Sequence, residues 1–373
     1  MSEPQAREAR PFGRRATGRA RPAARRAVVI GAGSFGTAIA VLLARGGLRT
    51  TLQSRTAAQA DELARDRENA AYLPGVELPA QLRIESVSAG LQRTDLVFLG
   101  VPSRGLGDVI EALPRAGLGR RAAVVSLAKG LVPPHGVPPV IALRSHFGES
   151  RVACIGGPAH ALEMVSDGAA LVAASSSEAL AEVIAGAFTR AGVVCELSDD
   201  PIGVELAGIA KNAAALAAGA TDGQGMNAAG AAAGHIFAEV WRFAEASGGR
   251  PESMIGLAGA GDLVATALAP QSRSRRAGEL LAQGVPAAAI PADVGQAVEA
   301  LESVPLLALA LERANFEAPV TSALARLISG ELPLEDWVAL VRTTVPPPAH
   351  WRSRRSPMAE RMRGWFQRRN YSE

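Results

Sequence analysis

Short unbroken apolar runs alternate with amphipathic or polar stretches through the first half of the chain, and that alternation ends near residue 200. Ala27–Gly31, AVVIG, is one such run and reads as a buried strand. The turn Gly31-Ala-Gly33-Ser34-Phe35-Gly36 follows it. Next comes TAIAVLLARGG, with apolar residues at helical spacing and a stop at Gly46–Gly47. Further strands are expected over Thr50–Gln53, Asp95–Pro102, Ala122–Ser126, Arg151–Ile155, Gly168–Ala173 and Val193–Leu197. Helices are expected over 57–69 and Ser177–Ala191, and residues 67–79 read as a turn-rich loop with an apolar anchor. From Pro201 to about residue 344 the spacing is helical only, with Pro291 and Pro305 marking boundaries between helices.

Strand, GxGxxG and helix in that order form the context of a dinucleotide fingerprint: one glycine for the turn, one for approach to a pyrophosphate, one for helix-on-strand packing. The predicted fold is therefore α/β. A Rossmann-like doubly wound sheet spans 27–198, and an all-α substrate domain spans 201–344. An Arg-rich arm (1–26) is read as disordered, and a basic tail (345–373) closes the chain. A second strand closing on an acid would suit a free ribose 2′-hydroxyl. Here it runs Leu52-Gln53-Ser54-Arg55, and Arg55 could accept a 2′-phosphate, so NADP or NAD is expected.

Composition narrows the classes. Cys154 and Cys195 are too few for a disulfide framework, and the five histidines form no metal-ligand spacing, so no metal site is expected. No apolar run is long enough to span a membrane and no signal peptide is evident, which makes cytoplasm the default. The net charge of +3 conceals positive ends around a near-neutral body, so nucleic acid is not an expected partner. Nearly every cation is Arg: of 39 Lys plus Arg, the only lysines are Lys129 and Lys211. An ammonium can give up its proton when desolvated, and a guanidinium cannot.

Lys129 follows the Ala122–Ser126 strand, at the sheet edge that also carries the glycine turn. Lys211 lies in VELAGIAKNAAALAAGATDG, where helical geometry gives it a face shared with Ala207, Gly208, Ala214 and Ala218. That face is nearly bare, and a flat ring or small substrate could approach it. Equally, small residues could serve close helix packing with Lys211 reaching outward. Asp262 follows a Gly/Ala turn four residues before Thr266, with Arg273, Arg275 and Arg276 soon after. A carboxylate could hold the lysine, and an Arg fork could clamp a phosphate or simply be a solvated face.

The segments GAGSFGTAIA (31–40), ENAAYLPGVELP (68–79), VPS (101–103), KG (129–130), GGPAHALE (156–163), VELAGIAKNAAALAAGATDG (204–223), GLAGAGDLVATAL…SRSRR (256–276) and GQAVEAL (295–301) resemble the bacterial-type NAD(P)-dependent glycerol-3-phosphate dehydrogenase family over about residues 27–332. The resemblance implies reversible hydride transfer between NAD(P)H and dihydroxyacetone phosphate, giving sn-glycerol 3-phosphate for phospholipid synthesis. It implies that Lys211 is the general acid/base, that Lys129 polarises the 2-oxygen and that Asp262 orients Lys211. Lys129, Gly157, Asn212, Thr266, Arg273 and Ser274 would bind substrate, with Arg275 beside them. Gly31, Gly33, Ser34, Phe35, Gly36, Arg55, Pro102, Lys129, Ala161, Arg273, Gln296 and Glu299 would contact the coenzyme.

Departures from the family pattern fall at Ala159, His160, Ala229, Gly234 and His235, after a loop about two residues shorter than usual. They are expected on the substrate side. They leave open a paralogue acting on another small phosphorylated 2-keto compound, or a non-catalytic coenzyme-binding protein. A homodimer is expected. In Pro357–Arg369, Met358, Met362, Trp365 and Phe366 recur at helical spacing among arginines. This suits peripheral contact with an anionic membrane, or a helix docking on its own body.

Overall fold

The computed structural model describes residues 26–221, 223–269 and 271–345, so the Arg-rich arm ahead of Arg26 and the basic tail after Val345 lie outside the described residues. Ten strands follow the chain: β1 (Arg26–Ile30), β2 (Arg49–Ser54), β3 (Glu68–Asn69), β4 (Leu73–Glu77), β5 (Arg83–Ser86), β6 (Leu96–Leu99), β7 (Ala123–Ser126), β8 (Val152–Gly156), β9 (Ala170–Ala174) and β10 (Val194–Ser198). Eight of them form one sheet in the order β10-β9-β8-β7-β6-β1-β2-β5, and β3 and β4 form a separate hairpin. Every neighbour pair in the large sheet is parallel except β8 with β9. The strand order turns back at β1, with β2 on one side and β6 on the other. That is the switch point where open α/β sheets bind ligands beyond their carboxyl ends.

Both faces of the sheet are covered, which is why its strands read as continuous apolar runs rather than alternating ones. Val29, Leu52, Phe98 and Val125 face one way, onto the helices Ser34–Arg45 and Glu178–Arg190. Phe98 meets Phe188 edge to face at 6.3 Å. Val28, Val97 and Val124 face the other way, into a core continuous with the helical half of the molecule.

From Pro201 onward only helices occur among the described residues. Helix Pro201–Ala220 is their axis, with every residue buried except Ile202 and Ala218. Pro201 opens the helix, and Asp200 caps it by accepting the Gly203 N–H at 2.8 Å. The same carboxylate accepts the Ser253 hydroxyl and the Arg250 backbone N–H, both at 2.7 Å, so one buried side chain ties the helix start to the segment that leads to Asp262. The small residues serve close packing. A Cβ at Gly278, in helix Arg273–Ala282, would sit 2.0 Å from the Leu216 carbonyl oxygen, and one at Gly219 would sit 2.1 Å from that of Arg275. No helix among the described residues is long and apolar enough to cross a membrane.

Four local expectations are corrected. Residues 67–79 hold the β3–β4 hairpin rather than a loop. Arg67 enters the left-handed region at φ 52 and its guanidinium donates to the carbonyls of Leu78, Pro79 and Leu82, which folds a turn-rich sequence back on itself. The helix expected to reach residue 69 stops at Asp66 for the same reason. Pro305 lies inside helix Glu299–Arg313 instead of bounding it. The buried face of Ala300, Leu301, Val304, Leu307 and Leu311 holds that helix together across the missing donor. Asp262 follows a π-helical turn, Leu257–Gly261, continuous with helix Asp262–Leu268, where a Gly/Ala turn was expected.

Helix propensity alone makes Gly→Ala stabilising by about 1 kcal/mol, whereas the contact at Gly278 makes the same change an overpacking. Gly278→Ala should destabilise the chain by about 1–3 kcal/mol, read as a lower denaturant midpoint at unchanged m-value. A raised midpoint would show that the two helices do not meet this closely.

Candidate active site

The glycine turn tests whether a dinucleotide fits. Gly31 has φ +111, and a Cβ there would lie 2.4 Å from the Gly100 carbonyl oxygen. A Cβ at Gly36 would lie 2.1 Å from the Gly31 oxygen, while one at Gly33 would meet nothing within 4 Å. Two glycines therefore exist for protein packing, and the middle one leaves open space at the start of helix Ser34–Arg45. No side chain caps that start, so its first N–H groups remain available to an anion. Asn69 in the hairpin braces the turn, donating to the Ala32 carbonyl at 3.0 Å and the Thr37 hydroxyl at 2.8 Å. These residues fit a dinucleotide pyrophosphate.

Beyond the turn, a cleft of about 810 Å³ lies between sheet and helices. At its floor Asp262 joins the two lysines: Oδ2 is 2.6 Å from Lys129 Nζ and Oδ1 is 3.1 Å from Lys211 Nζ. Lys211 also donates to the Thr266 hydroxyl at 2.9 Å, and Lys129 to the Gly157 carbonyl at 3.3 Å. Asn212 donates to the Lys129 carbonyl at 3.2 Å. Asp262 is 2 % exposed and Lys211 7 %. Each member comes from a different element: Lys129 from beyond β7, Lys211 from the axial helix, Asp262 from the start of helix Asp262–Leu268, just after the π-helical turn. The Asp262–Thr266 pair is one helical turn apart, which sets both on the face toward Lys211.

Burial pushes Lys211 down to about 8, the Lys129 charge pushes the same way, and Asp262 opposes both. Burial alone would raise the Asp262 carboxyl, but the two ammonium groups outweigh it and hold the acid below its ordinary range. Because the folded Lys211 sits below its unfolded value of 10.5, the unfolded chain binds the extra proton between about pH 8 and 10.5. This group therefore costs stability below pH 8 and costs less as pH rises through that window.

Glu299 holds the sheet side in register, accepting the Ser103 backbone N–H and the Lys129 backbone N–H, both at 3.2 Å. Burial raises its carboxyl pKa. Gln296 accepts from the Ser34 hydroxyl at 3.2 Å, which links the glycine turn to the helical half. Phe35, Ala161, Arg273 and Ser274 line the cleft, and the Lys129 ammonium lies 5.8 Å from the Phe35 ring centre. Arg273 is exposed at the mouth and donates to the Ala297 carbonyl at 3.0 Å. Arg275 and Arg276 turn to Glu279 on their own helix, so the expected three-arginine fork reduces to Arg273 with Arg276 beside it.

Pro102 and Arg55 stand exposed beyond β6 and β2, outside this lining. Ala159 and His160 do line the cleft, and the buried His160 Nε2 has no hydrogen-bond partner. Ala229, Gly234 and His235 lie on helix Met226–Ala246 and are not among the residues lining the cleft. Sequence reasoning assigned no role to Tyr72, Pro74 or Asp293, which also line the cleft, or to Asn69. Tyr72, Pro74 and Asn69 lie in a quoted motif, but nothing local marks Asp293.

Two family models cover the chain. The NAD-dependent glycerol-3-phosphate dehydrogenase N-terminus matches residues 26–181, and the C-terminus of the same family matches 200–339. The chain belongs to the glycerol-3-phosphate dehydrogenase family. It is 38% identical over 308 residues to the Deinococcus radiodurans glycerol-3-phosphate dehydrogenase [NAD(P)+], covering 81% of this chain and 90% of that one. It is also 38% identical over 306 residues to the Thermus thermophilus protein of the same name, covering 81% and 93%. The crystal structure of glycerol-3-phosphate dehydrogenase from Coxiella burnetii superposes with a TM-score of 0.81 at 29% identity, covering 87% of this chain and 100% of that one. Members of this dehydrogenase family are NAD(P)-dependent oxidoreductases acting on a CH–OH group, and this chain is one.

Gly33 separates folding from coenzyme binding within the glycine turn. Gly33→Val should leave the thermal midpoint within a degree or two, because the added carbons enter open space. The same change should weaken NADPH at least tenfold in a fluorescence titration, because that space is where the pyrophosphate must approach. Unweakened binding would remove the pyrophosphate from this turn.

Proposed function

We propose that this chain catalyses NAD(P)H-dependent reduction of dihydroxyacetone phosphate to sn-glycerol 3-phosphate, reversibly, with Lys211 moving the proton at the 2-oxygen. The observation that carries the assignment of roles is the shared carboxylate: Asp262 lies within ion-pair distance of both lysines at the floor of a coenzyme-sized cleft. A bound nicotinamide would supply the hydride for carbon 2 of the substrate. As that bond forms, negative charge collects on the 2-oxygen. Two cations held by one anion leave the floor with an excess positive charge aimed where that charge develops.

Lys211 gives its proton to the developing alkoxide and recovers one from solvent, and its lowered pKa makes the transfer easier than for an exposed lysine. Lys129, ion-paired with Asp262, polarises the same oxygen. Thr266 and Asp262 fix the direction of the Lys211 ammonium. Asn212 keeps Lys129 and the axial helix in one frame. Arg273 and Ser274, at the opening turn of helix Arg273–Ala282, hold the substrate phosphate, whose binding positions the remote carbonyl.

The end of β2 lacks an acid that would reject a 2′-phosphate, which supports use of both NADP and NAD. The same reading places the chain in the cytoplasm as a homodimer making phospholipid precursor. The Arg-rich amphipathic pattern of residues 357–369 supports a peripheral membrane contact.

Steady-state oxidation of NADPH with dihydroxyacetone phosphate tests the function directly. Coenzyme binding without turnover would overturn it. Lys211→Ala should lower kcat by about 10²–10⁴ with NADPH affinity within twofold. In the wild type, reduction should lose rate above about pH 8 while oxidation gains it, because the first needs Lys211 protonated and the second needs it neutral. Parallel loss in both directions would assign the proton to another group.

A further inference from the structure

A second cavity, about 720 Å³, lies at the amino ends of β1, β2 and β5, the edge of the sheet opposite the catalytic cleft. Arg26, Arg45, Arg49 and Arg83 line it. The strand register explains why they converge. Arg26 stands opposite Arg49, and Arg83 stands opposite Thr51, two residues along from Arg49. Side chains alternate faces along a strand, so Arg26, Arg49, Thr51 and Arg83 leave one face of three adjacent strands. At about 4.8 Å between strands and about 3.4 Å per residue along them, the three arginines fall within roughly 12 Å of one another.

Few anions answer them. Arg45 donates to the Val165 carbonyl at 2.7 Å. None of the ion pairs among the described residues includes Arg26, Arg49 or Arg83. Glu85 is the one carboxylate in the lining, and Asp95 lies close by, its Oδ2 accepting the Arg26 backbone N–H at 3.0 Å. Three guanidiniums thus face two carboxylates on this side of the sheet. Like charges opposed on neighbouring strands are destabilising, and an anion drawn into the cavity relieves that repulsion.

We propose that this cavity is a second anion site, built for a ligand that carries two or more linked phosphates and separate from the coenzyme cleft. Guanidinium forks match phosphate oxygens two at a time. A spread of roughly 12 Å across three strands exceeds what one orthophosphate bridges and suits a phosphate chain. Thr51, Gln92 and Thr94 add neutral polar groups to the lining. The volume falls in the range of small-ligand pockets, about 300–1,000 Å³. A nucleoside polyphosphate and a polyphosphorylated lipid headgroup share this chemistry.

The test titrates tripolyphosphate calorimetrically into the full chain held at saturating NADPH, so that the coenzyme cleft is filled. Vesicles bearing a polyphosphorylated inositol lipid form a parallel arm. One site per chain is expected, with orthophosphate at least tenfold weaker. Arg49→Ser/Arg83→Ser should weaken binding at least tenfold with kcat and KM within twofold. The charge-matched pair Arg313→Ser/Arg326→Ser, on distant helices, should change nothing. Tripolyphosphate should raise the thermal midpoint of the wild type and not that of the Arg49/Arg83 variant. If the double variant has a lower unliganded midpoint, Arg83→Ser alone, exposed on the outermost strand, should weaken binding several-fold. Tighter binding to vesicles than to free tripolyphosphate, with the same Arg49/Arg83 dependence, assigns the site to a headgroup. Equal affinity in wild type and Arg49/Arg83 variant, or no binding in either arm, overturns the proposal.

Discussion

One buried carboxylate between two ammonium groups is the constraint on which the rest depends. Asp262 lies 2.6 Å from Lys129 and 3.1 Å from Lys211 and is nearly excluded from water. Either lysine alone would be an uncompensated buried cation, and removing one partner of such a pair costs about 3–5 kcal/mol. Both lysines with one acid give a site that is stable and still carries excess positive charge. In the proposed mechanism that excess polarises the substrate carbonyl oxygen, and Lys211 releases its proton to it.

The architecture around this trio brings together three chain segments far apart in sequence. A mostly parallel sheet delivers Lys129 at its carboxyl edge, a helix buried except at Ile202 and Ala218 delivers Lys211, and a π-helical turn leads into Asp262. Their mutual positions are fixed by contacts outside the trio. Asp200 joins the axial helix to the segment ahead of Asp262. Glu299 grips the backbone of Lys129 and Ser103 from the helical half. Gly219 and Gly278 let the helix carrying Lys211 meet the helix that begins with Arg273. The small-residue composition of the stretch 201–220 thus serves packing, and the open face expected around Lys211 holds only where the cleft reaches it.

Strands buried on both faces were legible as apolar runs, so the short strands β1, β7 and β8 were anticipated within a residue, and β6 within three. Elements stabilised by tertiary contact were not. β5, an outer strand of the sheet, is the half-polar run RIES. The β3–β4 hairpin depends on Arg67 reaching carbonyls up to fifteen residues away, and helix Glu299–Arg313 continues through Pro305 because its buried face outweighs a lost donor. In the site, the oddity of two lysines in an arginine-rich chain was visible from composition alone. Their meeting on Asp262 was accessible only through family resemblance, since no spacing rule links residues 133 positions apart. Of the departures from the family pattern, Ala159 and His160 line the cleft, whereas Ala229, Gly234 and His235 are not among its lining residues.

The two charge clusters of the sheet are opposites in construction. At the carboxyl edge two cations share a buried acid, and at the amino edge exposed arginines outnumber their carboxylates. In the proposed mechanism the first governs the chemistry, with Asp262 opposing the burial and the Lys129 charge that lower the proton affinity of Lys211. The pH profile of kcat for dihydroxyacetone phosphate reduction in Asp262→Asn, against wild type, measures this most directly. With the carboxylate gone, burial and the Lys129 charge act unopposed on Lys211, and the basic limb should move to lower pH by about one unit or more. A basic limb at the wild-type position would contradict the account.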